Sequence, residues 1–120
     1  MIKFAIGGQL NKMEIKELVE REGGEEFSAV IFSDTEAALK VKTGEFDYYL
    51  GACQSGAGGA LGMAYGILGR DKCATIAMAG RAPKELQVSD SITRGAKAFG
   101  FTADQAAASV SLLVKLLSGK

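Results

Sequence analysis

Apolar positions along this chain follow two alternating rhythms, short continuous runs and longer stretches in which they recur every three or four residues. Phe4-Ala5-Ile6 ends at Gly7-Gly8, as a short buried strand entering a turn should. Asn11 with Glu14 gives a capping-box pattern, and Ile15, Leu18 and Val19 form the apolar stripe of a helix that stops at Gly23-Gly24. Phe27 to Phe32 predicts the next strand. Ser33 with Glu36 caps a second helix that carries Ala37, Ala38 and Val41 and closes at Gly44. Asp47 to Ala52 reads as a third strand, Gly56 to Leu68 as a third helix, and Cys73 to Met78 as a fourth strand. Pro83 opens a helix in which Leu86, Ile92 and Phe99 are spaced to pack. Thr102 with Gln105 caps a last helix bearing Ala106, Val110, Leu113 and Leu117.

Strands that alternate with helices require a parallel sheet covered on both faces, because each right-handed crossover returns the chain to the same edge. The expectation is a three-layer, Rossmann-like or flavodoxin-like α/β domain with a four-stranded, mainly parallel sheet in the order 2-1-3-4 and helices on both faces. Residues 1–120 form one domain on this reading, since no repeat or low-complexity linker divides them. A chain of this length can bury roughly two thirds of its unfolded surface.

Composition removes several functions. Fourteen basic and fourteen acidic residues cancel, so no overall field favours nucleic acid or an anionic membrane, and any anion recognition must be local. The opening residues reach glycine too soon for a signal peptide, which points to the cytoplasm. Cys53 and Cys73 then read as reduced thiols, and two such ligands with no histidine anywhere make a poor zinc site. Tyr48 to Gly69 runs for 22 residues without a formal charge, long enough to span a bilayer, but it holds seven glycines and an internal Cys-Gln-Ser. A strand, turn and buried helix account for it better, with no direct membrane insertion.

In an open parallel sheet, ligands bind beyond the carboxyl ends of the strands, where successive connections leave for opposite faces. Four loops meet that description: Gly7-Gly8-Gln9, Ser33-Asp34-Thr35, Cys53-Gln54-Ser55-Gly56 and Ala79-Gly80-Arg81. With strand order 2-1-3-4 the crevice lies between the first and third strands and joins Gly8 and Gln9 to the Cys53 loop, with Arg81 approaching from the fourth. A helix starting at Ser55 or Gly56 presents unpaired N–H groups and roughly half a positive charge to whatever precedes it, a seat suited to phosphate or carboxylate. Gln54 and the Ser55 hydroxyl would add contacts, and Gly56 and Gly58 would admit a ligand close to the backbone. The same potential favours the thiolate of Cys53 and would make it a base or nucleophile.

Each of these residues also has a purely structural reading. The glycines at 58, 59, 62, 66 and 69 suit close packing of a helix on the sheet or on another subunit. Cys53 is either a chemical group or a buried structural thiol, and Cys73 reads as inert core. Ser33 and Asp34 read as a helix cap. Arg81 is either a solvated loop charge or an anion clamp. Tyr48 and Tyr49 alternate across a strand, so at least one belongs to the core.

Over nearly its whole length the chain resembles the YhfU-like family of uncharacterised bacterial proteins. The likeness rests on Ala37-Ala38-Leu39-Lys40-Val41-Lys42-Thr43-Gly44, on Asp47-Tyr48-Tyr49-Leu50-Gly51-Ala52-Cys53, on Ser55-Gly56-Ala57-Gly58 and on Ala98-Phe99-Gly100. That resemblance implies no activity, but it implies partnership with a membrane transporter-like protein and with enzymes acting on small metabolites. Around Cys53 the chain is also similar to ribose-5-phosphate isomerase type B and the galactose-6-phosphate isomerase subunits, in which a strand ends in Cys-Gly-Thr-Gly-x-Gly. There the cysteine is the proton-shuttling base and the glycine turn anchors the substrate. The resemblance implies Cys53 as base, with Ser55, Gly56 and Gly58 holding the sugar end. The departures are Gly7-Gly8-Gln9 where those enzymes carry an Asp-His pair, and Gln54 in place of a glycine.

Three functions follow from these readings. The first is binding of a small anionic metabolite by Gly8, Gln9, Gln54, Ser55, Gly56, Gly58 and Arg81, without a cofactor and within a homo-oligomer. The second is aldose–ketose isomerisation of a sugar phosphate with Cys53 as general base. The third is a soluble subunit of a transport or phosphotransfer assembly, with the uncharged helix from Gly56 to Leu68 as its contact face. Sugar phosphotransferase IIB components carry their cysteine after the first strand, whereas Cys53 follows the third.

Overall fold

The computed structural model of the chain describes residues 1–54 and 57–118, with residues 57–60 as backbone alone. Its strands and helices alternate throughout: β1 (Ile2–Gly8), α1 (Lys12–Gly23), β2 (Phe27–Ile31), α2 (Asp34–Lys42), β3 (Tyr48–Cys53), α3 (Ala57–Leu68), β4 (Cys73–Thr75), α4 (Glu85–Arg94), β5 (Ala98–Thr102) and α5 (Ala106–Leu117). Among the described residues the strands pair in parallel, as the crossovers require, and the order is β2-β1-β3-β5-β4.

The parallel three-layer α/β architecture is the expected one, but the sheet has five strands, and the order 2-1-3-4 is corrected accordingly. The strand missing from the sequence reading is β5. Phe99 belongs to it and not to the preceding helix, because Gly95 takes the left-handed conformation (φ 101°) and stops α4. The chain re-enters the sheet between β3 and β4. β4 is shorter than expected, ending at Thr75, although the Ile76 N–H still donates to the Gly100 carbonyl at 2.9 Å.

The two faces divide the helices. Phe4, Ile6, Leu50, Phe99 and Phe101 pack on one side against Ile15 and Val19 of α1, Val88 of α4 and Val110 and Leu113 of α5. Ala5, Tyr49 and Ala98 point the other way, against Ala37, Ala38 and Val41 of α2 and Leu61 and Ala64 of α3. The second face is built from small residues, so α3 comes close: a Cβ on Gly100 would lie 2.7 Å from Leu61 Cγ. The uncharged stretch from Tyr48 resolves into β3 and the 12-residue α3, and no helix among the described residues is long and apolar enough to cross a membrane.

Not every helix starts as its cap pattern predicts. Ser33 caps α2 as expected, its hydroxyl accepting from the Glu36 N–H at 3.2 Å. Asn11 makes no capping bond, because it sits in the left-handed region (φ 58°) and not in the extended conformation an N-cap side chain needs to reach back. Thr102 makes none either: a short 3-10 turn over Ala103–Gln105 intervenes before α5. Pro83 precedes α4, which begins at Glu85 after Lys84.

Candidate functional site

The chain leaves β1 for α1 on one face and leaves β3 for α3 on the other. Since β1 and β3 are neighbours, their carboxyl ends flank the point at which the connections diverge, where an open α/β sheet places its crevice. Gly8 pairs in register with Ala52, and beyond it the N–H groups of Gln9 and Leu10 both donate to the Ala52 carbonyl, at 2.9 and 3.3 Å. Gly8 itself has φ 79°, and a Cβ there would lie 2.6 Å from the Ala52 nitrogen. Only glycine lets β1 turn this close to β3.

Tyr49 secures the same corner from below. Its ring is buried on the α2 and α3 face, and its phenol oxygen accepts a buried hydrogen bond from the Gly8 N–H at 2.9 Å. A Cβ on Gly7 would fall 2.6 Å from the ring edge. Burial first, and then the Asp34 carboxylate, push the phenol well above its ordinary range, so it stays neutral.

The predicted residues fall into three groups around this corner. Gln9 and Gln54 are exposed at the ends of the two strands, next to Gly8, while Cys53 is 2% exposed and ends β3. Gly58 lies in α3, and Ser55 and Gly56 lie outside the described residues. Arg81 is one strand further off than expected, because β5 separates β3 from β4. Its loop doubles back through a bridge between Met78 and Arg81, and the exposed guanidinium rests 3.4 Å from Met78 Sδ.

Two further polar residues reach the carboxyl edge. Lys12, at the start of α1, donates from Nζ to the Phe32 carbonyl at 2.9 Å, so a half-buried ammonium is held there by a neutral partner. Its place directly after the β1 turn was the available signal. Thr102 ends β5 and pairs in register with Cys53. The sequence reads it as a helix cap, and its place at this edge follows from β5. Near it, the exposed Asp104 carboxyl is held below its usual range, chiefly by the Thr102 hydroxyl, with burial opposing and the Gly80 N–H adding to the lowering.

Cys73 lies in the core, as expected. It is buried, donates weakly to the Gly69 carbonyl at 3.4 Å, and is pushed up to about 11, mainly by burial and secondarily by Asp71. Neither cysteine is in a disulfide, and no group of three His, Cys, Asp or Glu side chains among the described residues could hold a metal ion. Two clefts lie away from the crevice: one of about 400 Å³ between Ile2, Phe27 and Leu117 at the amino edge, and one of about 330 Å³ between Pro83, Leu112 and Lys115.

The family described as "Protein of unknown function DUF2620" matches residues 2–117. The chain belongs to that family. It is 37% identical over 117 residues to the "Uncharacterized protein YhfU" of Escherichia coli strain K12 and equally to that of Shigella flexneri, covering 98% of this chain and 99% of the relative. Among solved structures it is similar to a ribose 5-phosphate isomerase of Thermotoga maritima, with a TM-score of 0.67 and 16% identity over 98% of this chain and 86% of the other. The type B enzyme of Trypanosoma cruzi gives a TM-score of 0.65 and 17% identity over 98% and 84%. At such identities the likeness establishes a shared fold.

Proposed function

We propose that this chain binds a small phosphorylated or carboxylated metabolite at the carboxyl edge between β1 and β3. The observation that carries the reading is the joining of the two strand ends at the switch point, where Gly8 turns against Ala52 and Gln9 and Gln54 are exposed at the two ends. The start of α3 supplies N–H groups and a partial positive charge, and Lys12 supplies an ammonium not neutralised by its carbonyl partner. The test is a thermal-shift and NMR titration with inorganic phosphate, ribose 5-phosphate and small carboxylates. Binding should raise the melting temperature and move the amide signals of Gly8, Gln9 and Gln54. A flat response to every anion, with no shift at those amides, would sink the reading.

A second reading is favoured by the position of Cys53 at the end of β3, in a fold shared with proteins described as ribose 5-phosphate isomerases. In an aldose–ketose isomerisation a base removes the proton from the carbon beside the carbonyl and returns it to the former carbonyl carbon, and a thiolate at Cys53 would be that base. Incorporation of deuterium from heavy water into ribose 5-phosphate, abolished in Cys53→Ser, is the expected result. Undiminished exchange in that variant would remove Cys53 from the chemistry.

A further inference from the structure

Helices α2 and α3 lie side by side on one face of the sheet, and their outward surface is apolar at its centre. Leu39 of α2 is 46% exposed and Met63 of α3 is 42% exposed. From Ala57 to Leu68, α3 carries no charged residue, although Gly62, Met63 and Gly66 all stand in solvent. A Cβ on Gly62 or Gly66 would meet nothing within 4 Å, so neither glycine serves the packing of α3 on its own sheet. Glycine inside a helix is destabilising relative to alanine, and nothing within the chain requires it at these two positions.

Charge says what covers this face. Glu36 and Lys42 stand three residues before and three after Leu39, on its side of α2, and both are exposed. Neither enters an ion pair among the described residues, whereas the intervening Lys40 is held by Glu45 at 3.0 Å. The acidic and basic groups are thus spaced evenly about an apolar centre, a pattern complementary to itself when reversed. A two-fold axis lying in this surface and perpendicular to the helices sets each helix antiparallel against its own copy. Leu39 then meets its equivalent, Gly62 comes opposite Gly66, and Glu36 meets Lys42 of the partner subunit. A parallel arrangement would set α2 against the uncharged α3, leaving Glu36 and Lys42 without partners and bringing like helix ends together.

We propose that the α2–α3 face is a homodimer interface, closed by a second copy of this chain packed antiparallel on it. Gly62 and Gly66 are the point of closest approach, and two Glu36–Lys42 pairs flank the central Leu39 contact. This interface is independent of the anion-binding reading.

Sedimentation equilibrium over about 10–200 μM tests it, since a reversible dimer of the 12.5 kDa chain shows itself as a mass that doubles with concentration. Gly66→Leu has open space in the single chain and should keep the helical circular dichroism signal, yet raise the dimer dissociation constant about tenfold or more. Leu86→Glu, on the exposed side of α4 across the sheet, should change it by less than about twofold. Orientation is read from a charge swap, in which each substitution acts twice by symmetry: Glu36→Lys should weaken the dimer about threefold or more, and adding Lys42→Glu should restore it. A wild-type protein that stays monomeric throughout, or a dimer indifferent to Gly66→Leu, would overturn the proposal. A Glu36→Lys dimer as tight as wild type, or one that Lys42→Glu fails to rescue, would overturn the antiparallel arrangement on which it rests.

Discussion

Replacing Gly8 by alanine tests the corner on which the site is built. Two separate penalties apply. Alanine at φ 79° is in the left-handed region, which costs about 1–2 kcal/mol. Its methyl would also meet three backbone atoms of β3, the Ala52 nitrogen at 2.6 Å, Gly51 Cα at 2.8 Å and the Ala52 oxygen at 2.9 Å. That strand is held by β1 on one side and β5 on the other, so it cannot yield without stretching a ladder, and overpacking of this kind adds about 1–3 kcal/mol. The sum, about 2–5 kcal/mol, is a large part of the 5–15 kcal/mol typical of a domain. Gly95→Ala is the control: φ there is 101°, yet the nearest atom is the mobile Lys72 Nζ at 3.6 Å, so only the first penalty applies. Urea unfolding followed by circular dichroism measures both, the chain having no tryptophan to follow by fluorescence. If Gly8→Ala loses no more stability than Gly95→Ala, the close approach of β1 to β3 is not as described.

Other substitutions probe the surroundings. Tyr49→Phe removes the acceptor of the buried Gly8 N–H and should lower stability by about 1–3 kcal/mol in the same assay, with the fold retained; an unchanged midpoint would refute the bond. Cys73 titrates near 9 when unfolded and about 11 when folded, so its contribution is complete below pH 9 and disappears as pH rises from 9 to 11. Urea midpoints should therefore fall across that window, and Cys73→Ala should flatten part of the fall. Gln9→Ala and Gln54→Ala lie on exposed side chains and should change stability by no more than about 0.5 kcal/mol, yet each should weaken anion binding about threefold or more by calorimetry.

The alternation of strands and helices was legible because each helix carries its apolar stripe and each of the first three strands is a clear apolar run. β5 was not. Ala98-Phe99-Gly100-Phe101-Thr102 is fully buried on both faces, so it shows no alternation, and it has little of the β-branched content that marks a strand. Phe99 also falls into helical spacing with Ile92, across the stop that Gly95 makes. The consequence reached the site: with β5 unseen, Arg81 was placed beside β3 and Thr102 was read as a helix cap. Gly8, Gln9, Cys53 and Gln54, by contrast, were located correctly at adjoining strand ends, since the order β2-β1-β3 depends only on the first three strands. Asn11 failed as a cap for a local reason, its left-handed backbone, which residue type alone does not reveal.

The place of β5 has a consequence for how the molecule is made. Among the described residues, β4 has β5 as its sheet neighbour, and β5 also closes the open side of β3. During synthesis β2, β1 and β3 can pair with one another early, whereas β4 emerges with nothing to pair with and β3 offers a bare edge. The last strand acts as a keystone inserted from within, after most of the chain already exists. A polypeptide halted near Gly95 would thus lack the middle of its sheet and not its margin, and would carry two unsatisfied edges open to pairing with other chains.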